Sequence, residues 1–227
     1  MKTLKKVLKK LIKNFLKLIS YDYRGKYFAS SKKYWQDRYL SNGTSGPGSY
    51  GKLSLFKAKV INDFVDEKNI KTVLDFGCGD GNQLRLAKYD NYIGVDVSDK
   101  AIELCKKMFA GDTTKNFYNL TEFLKKGQKF ELVLSMDVIY HLLEDKVFND
   151  YMNNLFSRSK KYVIIYSSNY DKYIDKHVRC RKFTNWIDAN LKDEFQQIKL
   201  IKNIYPFDEN KPDQTSISDF FIYERVG

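Results

Sequence analysis

The sequence predicts an α/β chain: a doubly wound, mostly parallel sheet with a C-terminal antiparallel hairpin strand, preceded by an N-terminal helical extension. Three observations predict it. From residue 53 onward, short apolar, β-branched runs alternate with stretches of helical periodicity. The first such run, Thr72-Val73-Leu74-Asp75-Phe76, opens into glycines at alternate positions, Gly77, Gly79 and Gly81. Later runs end in polar side chains, Asp96, Asn119 and Asp137, where an open parallel sheet binds ligands.

The first run reads as a strand, a tight turn and the start of a helix over residues 82–89. Glycine permits positive φ and lets a ligand approach the bare backbone. A helix N-terminus beyond it offers free N–H groups. The spacing is not the G-x-G-x-x-G of a dinucleotide turn. A pyrophosphate would also meet Asp75 and Asp80, two anions. A ligand with a cationic centre and no phosphate fits better. The second run, Tyr92-Ile93-Gly94-Val95-Asp96, carries an acid at its tip that can accept both hydroxyls of a ribose.

The remaining elements follow in order. Residues 53–67 have helical spacing at Leu55, Phe56, Val60, Ile61, Phe64 and Val65. Residues 99–109 form a helix with Ser98 as N-cap. Residues 116–119 form a third strand whose Asn119 meets a nucleobase. Phe130–Met136 is a fourth strand, ending at Asp137, and Asp145–Ser157 is a helix. Residues 162–166 form a buried strand closed by Ser167-Ser168-Asn169. Residues 183–191 are helical. Residues 195–204 and 217–226 pair as the terminal hairpin across a loop from Pro206 to Pro212.

The segment V-L-D-F-G-C-G-D-G resembles motif I of the class I S-adenosylmethionine-dependent methyltransferases, matching every fixed position of V-L-D-x-G-C-G-x-G. The resemblance implies a Rossmann-like sheet and S-adenosylmethionine as cofactor. It places Gly77 and Gly79 under the methionine part and Asp96 at the ribose, with Asp75, Cys78, Val97, Asn119 and Asp137 as further candidate cofactor-binding residues. Asp137-Val138-Ile139-Tyr140-His141 resembles motif IV, an acid followed four residues on by histidine. If that segment is helical, Asp137 and His141 share a face. His141 is then the candidate general base for a hydroxyl acceptor, with Asp137 orienting it or the cofactor. A purely structural hydrogen bond from His141 to the neighbouring loop is the alternative. No N-P-P-Y signature of amino-group methylation stands at strand 4, where the chain has Asp137-Val138-Ile139-Tyr140.

The net charge of +12 is unevenly placed. Residues 1–60 hold 15 Lys/Arg against 2 Asp/Glu, and the rest of the chain holds 25 against 26. A neutral body argues against a nucleic-acid footprint. Residues 1–20 carry seven lysines, no acid, and apolar residues at helical spacing from Leu4 to Ile19. Lysines interrupt every apolar run, so this stretch neither spans a bilayer nor serves as a signal peptide. It reads as a basic amphipathic helix, meeting an anionic membrane face or packing on its own domain. The chain is placed in the cytoplasm, with the inner membrane face as a site of peripheral contact.

Residues 21–52 form a cap. Its aromatics include Tyr23, Tyr27, Tyr34, Trp35 and Tyr39, and its loop, residues 41–51, is rich in glycine and hydroxyls. Aromatics on both sides favour a lid over a plain linker. Residues 53–227 form the methyltransferase domain. W-x-x-R-Y followed by G-x-S-G-x-G-S-Y-G resembles a bacterial subgroup associated with envelope and capsule glycan biosynthesis, as does H-V-R-x-R-x-F at residues 177–183. The candidate acceptor-binding residues are Arg38, Ser49, Tyr50, Tyr140, His141, His177, Arg179 and Arg181. In an extended run the last three share one side, suiting an anionic acceptor or else pairing with nearby acids. The implied acceptor is a small anionic molecule such as a sugar nucleotide or a phosphorylated glycan precursor, including a phosphoramidate. An RNA or protein methyltransferase, or a non-catalytic cofactor-binding protein, is the alternative. Cys78, Cys105 and Cys180 make no C-x-x-C pair and two histidines give no zinc spacing, so no metal is expected.

Overall fold

A computed structural model of the protein describes residues 28–226. The basic helix expected over residues 1–20, with Tyr23 and Tyr27, lies outside the described residues. The elements in chain order are α1 (Ser31–Leu40), α2 (Gly51–Glu67), β1 (Thr72–Phe76), β2 (Asn91–Asp96), α3 (Asp99–Met108), β3 (Lys115–Asn119), α4 (Leu120–Phe123), β4 (Phe130–Met136), α5 (Asp145–Ser157), β5 (Ser159–Ser167), β6 (Lys172–Asp175), β7 (Val178–Cys180), α6 (Phe183–Asn190), β8 (Phe195–Ile201) and β9 (Asp219–Arg225).

Seven strands form one sheet in the order β3-β2-β1-β4-β5-β9-β8. The first five pair in parallel, and β9 inserts antiparallel between β5 and β8. This is the Rossmann-like sheet with its terminal hairpin that the sequence predicts. β6 and β7 form a separate antiparallel pair.

Alternation in β1 shows why the sheet is covered on both faces. Val73 and Leu74 are both fully buried but join different clusters. Leu74 packs in the layer with Met152 and Leu155 of α5 and Ile187 of α6. Val73 packs with Ile61, Phe64 and Val65 of α2 and Ile102 and Cys105 of α3. Each such side chain contributes roughly 1.5–3 kcal/mol on burial. Ser98 caps α3, its side chain accepting from the Ala101 N–H.

Two local expectations are corrected. Residues 82–89 are not an α-helix; a single 3-10 turn, Gln83–Leu86, is followed by extended backbone at Ala87. Asn82 and Gln83 turn their side-chain amides onto the carbonyls of Ser49 and Ser54, tying this segment to the start of α2. The segment after β4 is also not an α-helix. Asp137 has φ 58, and a 3-10 turn covers Ile139–His141. Among the described residues no helix is long and apolar enough to cross a membrane.

Candidate active site

The strand order runs outward from β1 through β2 to β3, and from β4 through β5 on the other side. The direction switches between β1 and β4, where an open sheet leaves a crevice beyond its strand ends. A cleft lies there, lined from both sides of the switch point by Gly77, Gly79, Asp96 and Asp137. Both halves of the crevice are built from backbone outliers. Gly77 and Gly79 after β1 have φ 111 and 60, and Asp137 after β4 has φ 58. A Cβ on Gly77 would collide with Val138, and one on Gly79 with Ser45, so only glycine fits either position.

The roof comes from α1 and the loop after it. Both oxygens of Glu144 accept from Ser31, at 2.9 Å from its N–H and 2.5 Å from its hydroxyl, which docks the start of α1. Arg38 Nε donates to the Thr44 carbonyl at 2.6 Å and shapes the loop. Ser45 then meets the glycine turn. Its N–H donates to Asp80 Oδ2 at 2.9 Å, and its Oγ accepts from the Asp80 N–H at 3.0 Å. Tyr50 adds a hydroxyl to Asp80 at 3.4 Å. Residues 41–51 thus lie over the turn, and Trp35, Tyr39, Ser45 and Ser49 line the cleft.

Carboxylates hold the floor. Asp75 is buried; Tyr92 donates to its Oδ2 at 3.1 Å, while Oδ1 has no partner among the described residues. Asp96 accepts the N–H groups of Gly79 at 3.1 Å and Ser98 at 2.9 Å. Desolvation pushes both acids up to about 6. Gln83 Oε1 is a further buried acceptor without a partner among the described residues. Cys78 and Val97 also line the cleft. Unused acceptors, ionisable acids and a bare-backbone turn match a cationic, hydroxyl-rich ligand and oppose a phosphate. Among the described residues no cluster of His, Cys, Asp or Glu can hold a metal ion.

At the β4 tip, Asp137 is the centre of a polar knot. Its Oδ2 accepts from Lys57 Nζ at 2.8 Å, and its Oδ1 from Tyr140 at 2.9 Å and Ser218 at 3.0 Å. Lys57 is 1% exposed. Sequence reasoning missed it, although a signal existed. Position 57 falls on the buried stripe of α2 that runs through Leu53, Ser54, Ala58, Ile61, Phe64 and Val65. A lysine on an apolar stripe marks a specific partner.

His141 lines the same cleft, and Trp35 meets its ring edge-on at 4.9 Å. Its Nδ1 lies 2.9 Å from the His177 carbonyl. A carbonyl only accepts, so Nδ1 carries the proton and Nε2 keeps the free lone pair. Desolvation lowers the group to about 4, which keeps the imidazole neutral at ordinary pH.

Several expected residues stand elsewhere. Asn119 does not line the cleft: it caps α4 through Thr121 and donates to Val97 O and Asp99, and its neighbour Leu120 forms the wall instead. Arg179 and Arg181 share a side, which faces Asp145 and does not line the cleft. Both reach Asp145, at 2.9 and 2.6 Å, and the Leu143 carbonyl, and Arg181 also reaches that of Leu142. An aspartate at the start of α5 and the carbonyls after the His141 turn engage every guanidinium nitrogen of Arg181 and Nη1 of Arg179. His177 leaves that row; its ring stacks on Tyr34 at 4.4 Å and on His141 at 5.5 Å. Arg38, Tyr50 and Tyr140 stand behind the lining, holding Thr44, Asp80 and Asp137 respectively.

A sequence model described as a methyltransferase domain matches residues 51–204. The ubiquinone biosynthesis O-methyltransferase of Pelagibacter ubique (strain HTCC1062) is 32% identical over 103 residues, covering 40% of this chain and 42% of that protein. The match therefore spans less than half of this relative. Among solved structures, magnesium protoporphyrin IX methyltransferase from Synechocystis PCC 6803 with bound S-adenosylmethionine superposes with a TM-score of 0.60. The alignment has 16% identity over 86% of this chain and 97% of that one. The N-methyltransferase NodS from Bradyrhizobium japonicum WM9, in complex with S-adenosyl-L-homocysteine, gives 0.58 at 12% identity over 77% and 88%. At these identities the structural likeness is one of fold. The chain belongs to the methyltransferase-domain family.

Proposed function

We propose that this enzyme methylates a hydroxyl oxygen of a small anionic acceptor, with His141 as general base. The observation that carries the proposal is the His141 contact: Nδ1 lies 2.9 Å from the His177 carbonyl, a pure acceptor, which leaves Nε2 as the free nitrogen of a cleft-lining residue. S-adenosylmethionine, when bound, supplies a methyl group on a cationic sulfur. Asp96 accepts the ribose hydroxyls, while Asp75, Gly77, Cys78 and Gly79 hold the methionine end against the bare turn. Val97 and Leu120 give the apolar wall. Ser49 and the roof exclude water and hold the acceptor in line, which supplies much of the rate in a displacement. His141 Nε2 takes the hydroxyl proton as the oxygen attacks.

The Pelagibacter ubique relative is by name an O-methyltransferase, which supports oxygen as the accepting atom. The roofed cleft and the neutral charge of the body support a small acceptor over RNA or protein. The loop and H-V-R-x-R-x-F resemblances support a sugar nucleotide or a capsular glycan precursor, phosphoramidates included. Incubation with methyl-labelled cofactor and a panel of sugar nucleotides, phosphorylated glycan precursors, tRNA and peptide tests this. Label enters the small glycan precursors; label in tRNA or peptide instead would overturn it. Peripheral contact of residues 1–20 with an anionic membrane is proposed alongside. Flotation with anionic vesicles tests it, and equal recovery after deleting residues 1–20 would end it.

A further inference from the structure

The cleft contains one buried cation whose hydrogen-bonding capacity is largely unused. An ammonium carries three N–H donors, and Lys57 Nζ makes one hydrogen bond among the described residues, to Asp137 Oδ2. The Tyr166 ring lies 5.4 Å from Nζ. A desolvated donor without a partner is costly, so two spare N–H groups in a ligand cleft point to an acceptor atom supplied from outside. Asp137 does not depend on Lys57 alone, because Tyr140 and Ser218 both donate to its other oxygen. The ammonium is therefore able to share its charge with a second oxygen without stripping the carboxylate of partners.

The roof loop passes close above the pair. A Cβ on Gly48 of the roof loop would stand 3.0 Å from Asp137 Oδ2 and 3.9 Å from Lys57 Nζ. The bare glycine lets the loop backbone pass immediately over the ion pair. Arg179 and Arg181 pair with Asp145 and with main-chain carbonyls, and neither lines the cleft. Of the lysines lining the cleft among the described residues, Lys32 is exposed and Lys57 is not.

We infer that Lys57 is the specificity-determining residue that binds an oxyanion, phosphate or carboxylate, carried by the methyl acceptor; this rests on the methyl-transfer reading of the same cleft. Position and sign separate this role from cofactor binding. The groups around Lys57 belong to the tips of β4 and β5 and the approach to β9, on the far side of the switch point from Asp96 at the tip of β2. The cofactor is a net cation, repelled by a buried ammonium and drawn to Asp75 and Asp96. An anionic acceptor is drawn to Lys57, which sets its hydroxyl in the half of the cleft that His141 lines.

The test uses the full chain saturated with S-adenosylhomocysteine and followed by amide NMR at constant ionic strength. It is titrated separately with inorganic phosphate, with glucuronate, and with glucose as neutral control. Saturable shifts at Gly48, Val138 and Ser218 are expected with phosphate or glucuronate and not with glucose, and the anion that saturates names the group. Lys57→Met should weaken that anion at least tenfold while changing S-adenosylhomocysteine affinity less than threefold, and Lys57→Arg should restore part of the anion binding. If Lys57→Met does not fold by circular dichroism, Lys57→Gln takes its place with the same expectations. Saturation by neither anion, or equal saturation in the variant, overturns the inference alone. So does a Lys57→Met variant that loses S-adenosylhomocysteine but keeps 5′-methylthioadenosine, since Lys57 would then serve the cofactor's own carboxylate. A wild-type chain that fails to bind S-adenosylhomocysteine overturns the methyl-transfer reading, and this one with it.

Discussion

Ser45 and Asp80 hold each other twice, through the Ser45 N–H on the Asp80 carboxylate and the Asp80 N–H on the Ser45 hydroxyl, at 2.9 and 3.0 Å. This reciprocal pair fastens the roof loop to the cofactor turn. Tyr39 adds a third contact, 2.9 Å from Ser45 Oγ. Ser45→Ala removes the hydroxyl from both partners and leaves the backbone donor. A net hydrogen bond is worth roughly 1 kcal/mol, so S-adenosylhomocysteine affinity should fall about five- to tenfold. Calorimetric titration checks this, and hydrogen exchange should quicken over residues 44–50.

His141→Ala should lower kcat by about a hundredfold or more, the usual contribution of a positioned base. Affinity for S-adenosylhomocysteine should change by less than about threefold, because the imidazole is assigned to the acceptor's proton and not to the cofactor. Single-turnover rates beside calorimetry separate the two. Unchanged turnover would return His141 to a structural role under the roof.

Acid should weaken cofactor binding before it unfolds the chain. Burial holds Asp75 and Asp96 up to about 6, so both take protons as pH falls below 7. Affinity should drop by roughly tenfold per pH unit below 6 for each carboxylate the ligand needs ionised. The effects on stability have opposite signs. The two acids bind protons more readily in the folded chain than in the unfolded one, so their protonation favours the fold between about 6 and their ordinary range. His141, held down to about 4, stays neutral while the unfolded chain charges. Its contribution is complete above the ordinary histidine value of 6.5 and is lost as pH falls toward 4. Native circular dichroism with weakened binding at pH 5.5 is the expected combination.

Arg181→Ala should act on stability. The side chain is 8% exposed and donates to the carbonyls of Leu142 and Leu143 at 3.2 and 2.8 Å. Its loss leaves those carbonyls short of partners at the end of the turn that carries His141. A cost on the order of 2–3 kcal/mol in denaturant unfolding is expected. A raised acceptor KM at unchanged stability would instead restore the anion-recognition role that the extended H-V-R-x-R run suggested.

The parts of this fold governed by local pattern were readable from residues alone. β4 and α5 begin and end where their apolar spacing does, and Ser98 caps α3 as its position before the helix requires. The glycine turn was readable because positive φ restricts residue type. What the sequence hid depends on contacts across long separations. Lys57 meets Asp137 eighty residues away, and only the packing of α2 against the β4 tip reveals the pair. Asp145, which claims both arginines, lies more than thirty residues from them. Alternation put Arg179 and Arg181 on one side correctly but gave no means of knowing what that side faces. The helix expected after Gly81 failed for a related reason. The amides of Asn82 and Gln83 bind carbonyls at Ser49 and Ser54, and those tertiary bonds prevail over local propensity.

The central claim is that the cleft above Gly77 and Gly79 binds the methyl donor, with Asp96 on its ribose. Calorimetric titration of S-adenosylhomocysteine into the wild-type chain and into Asp96→Asn tests it most directly. The account predicts one site per chain in the wild type and an affinity at least about tenfold weaker in the variant, the loss of a charge-assisted pair of hydrogen bonds. No binding to the wild type, or equal affinity in both proteins, would contradict it.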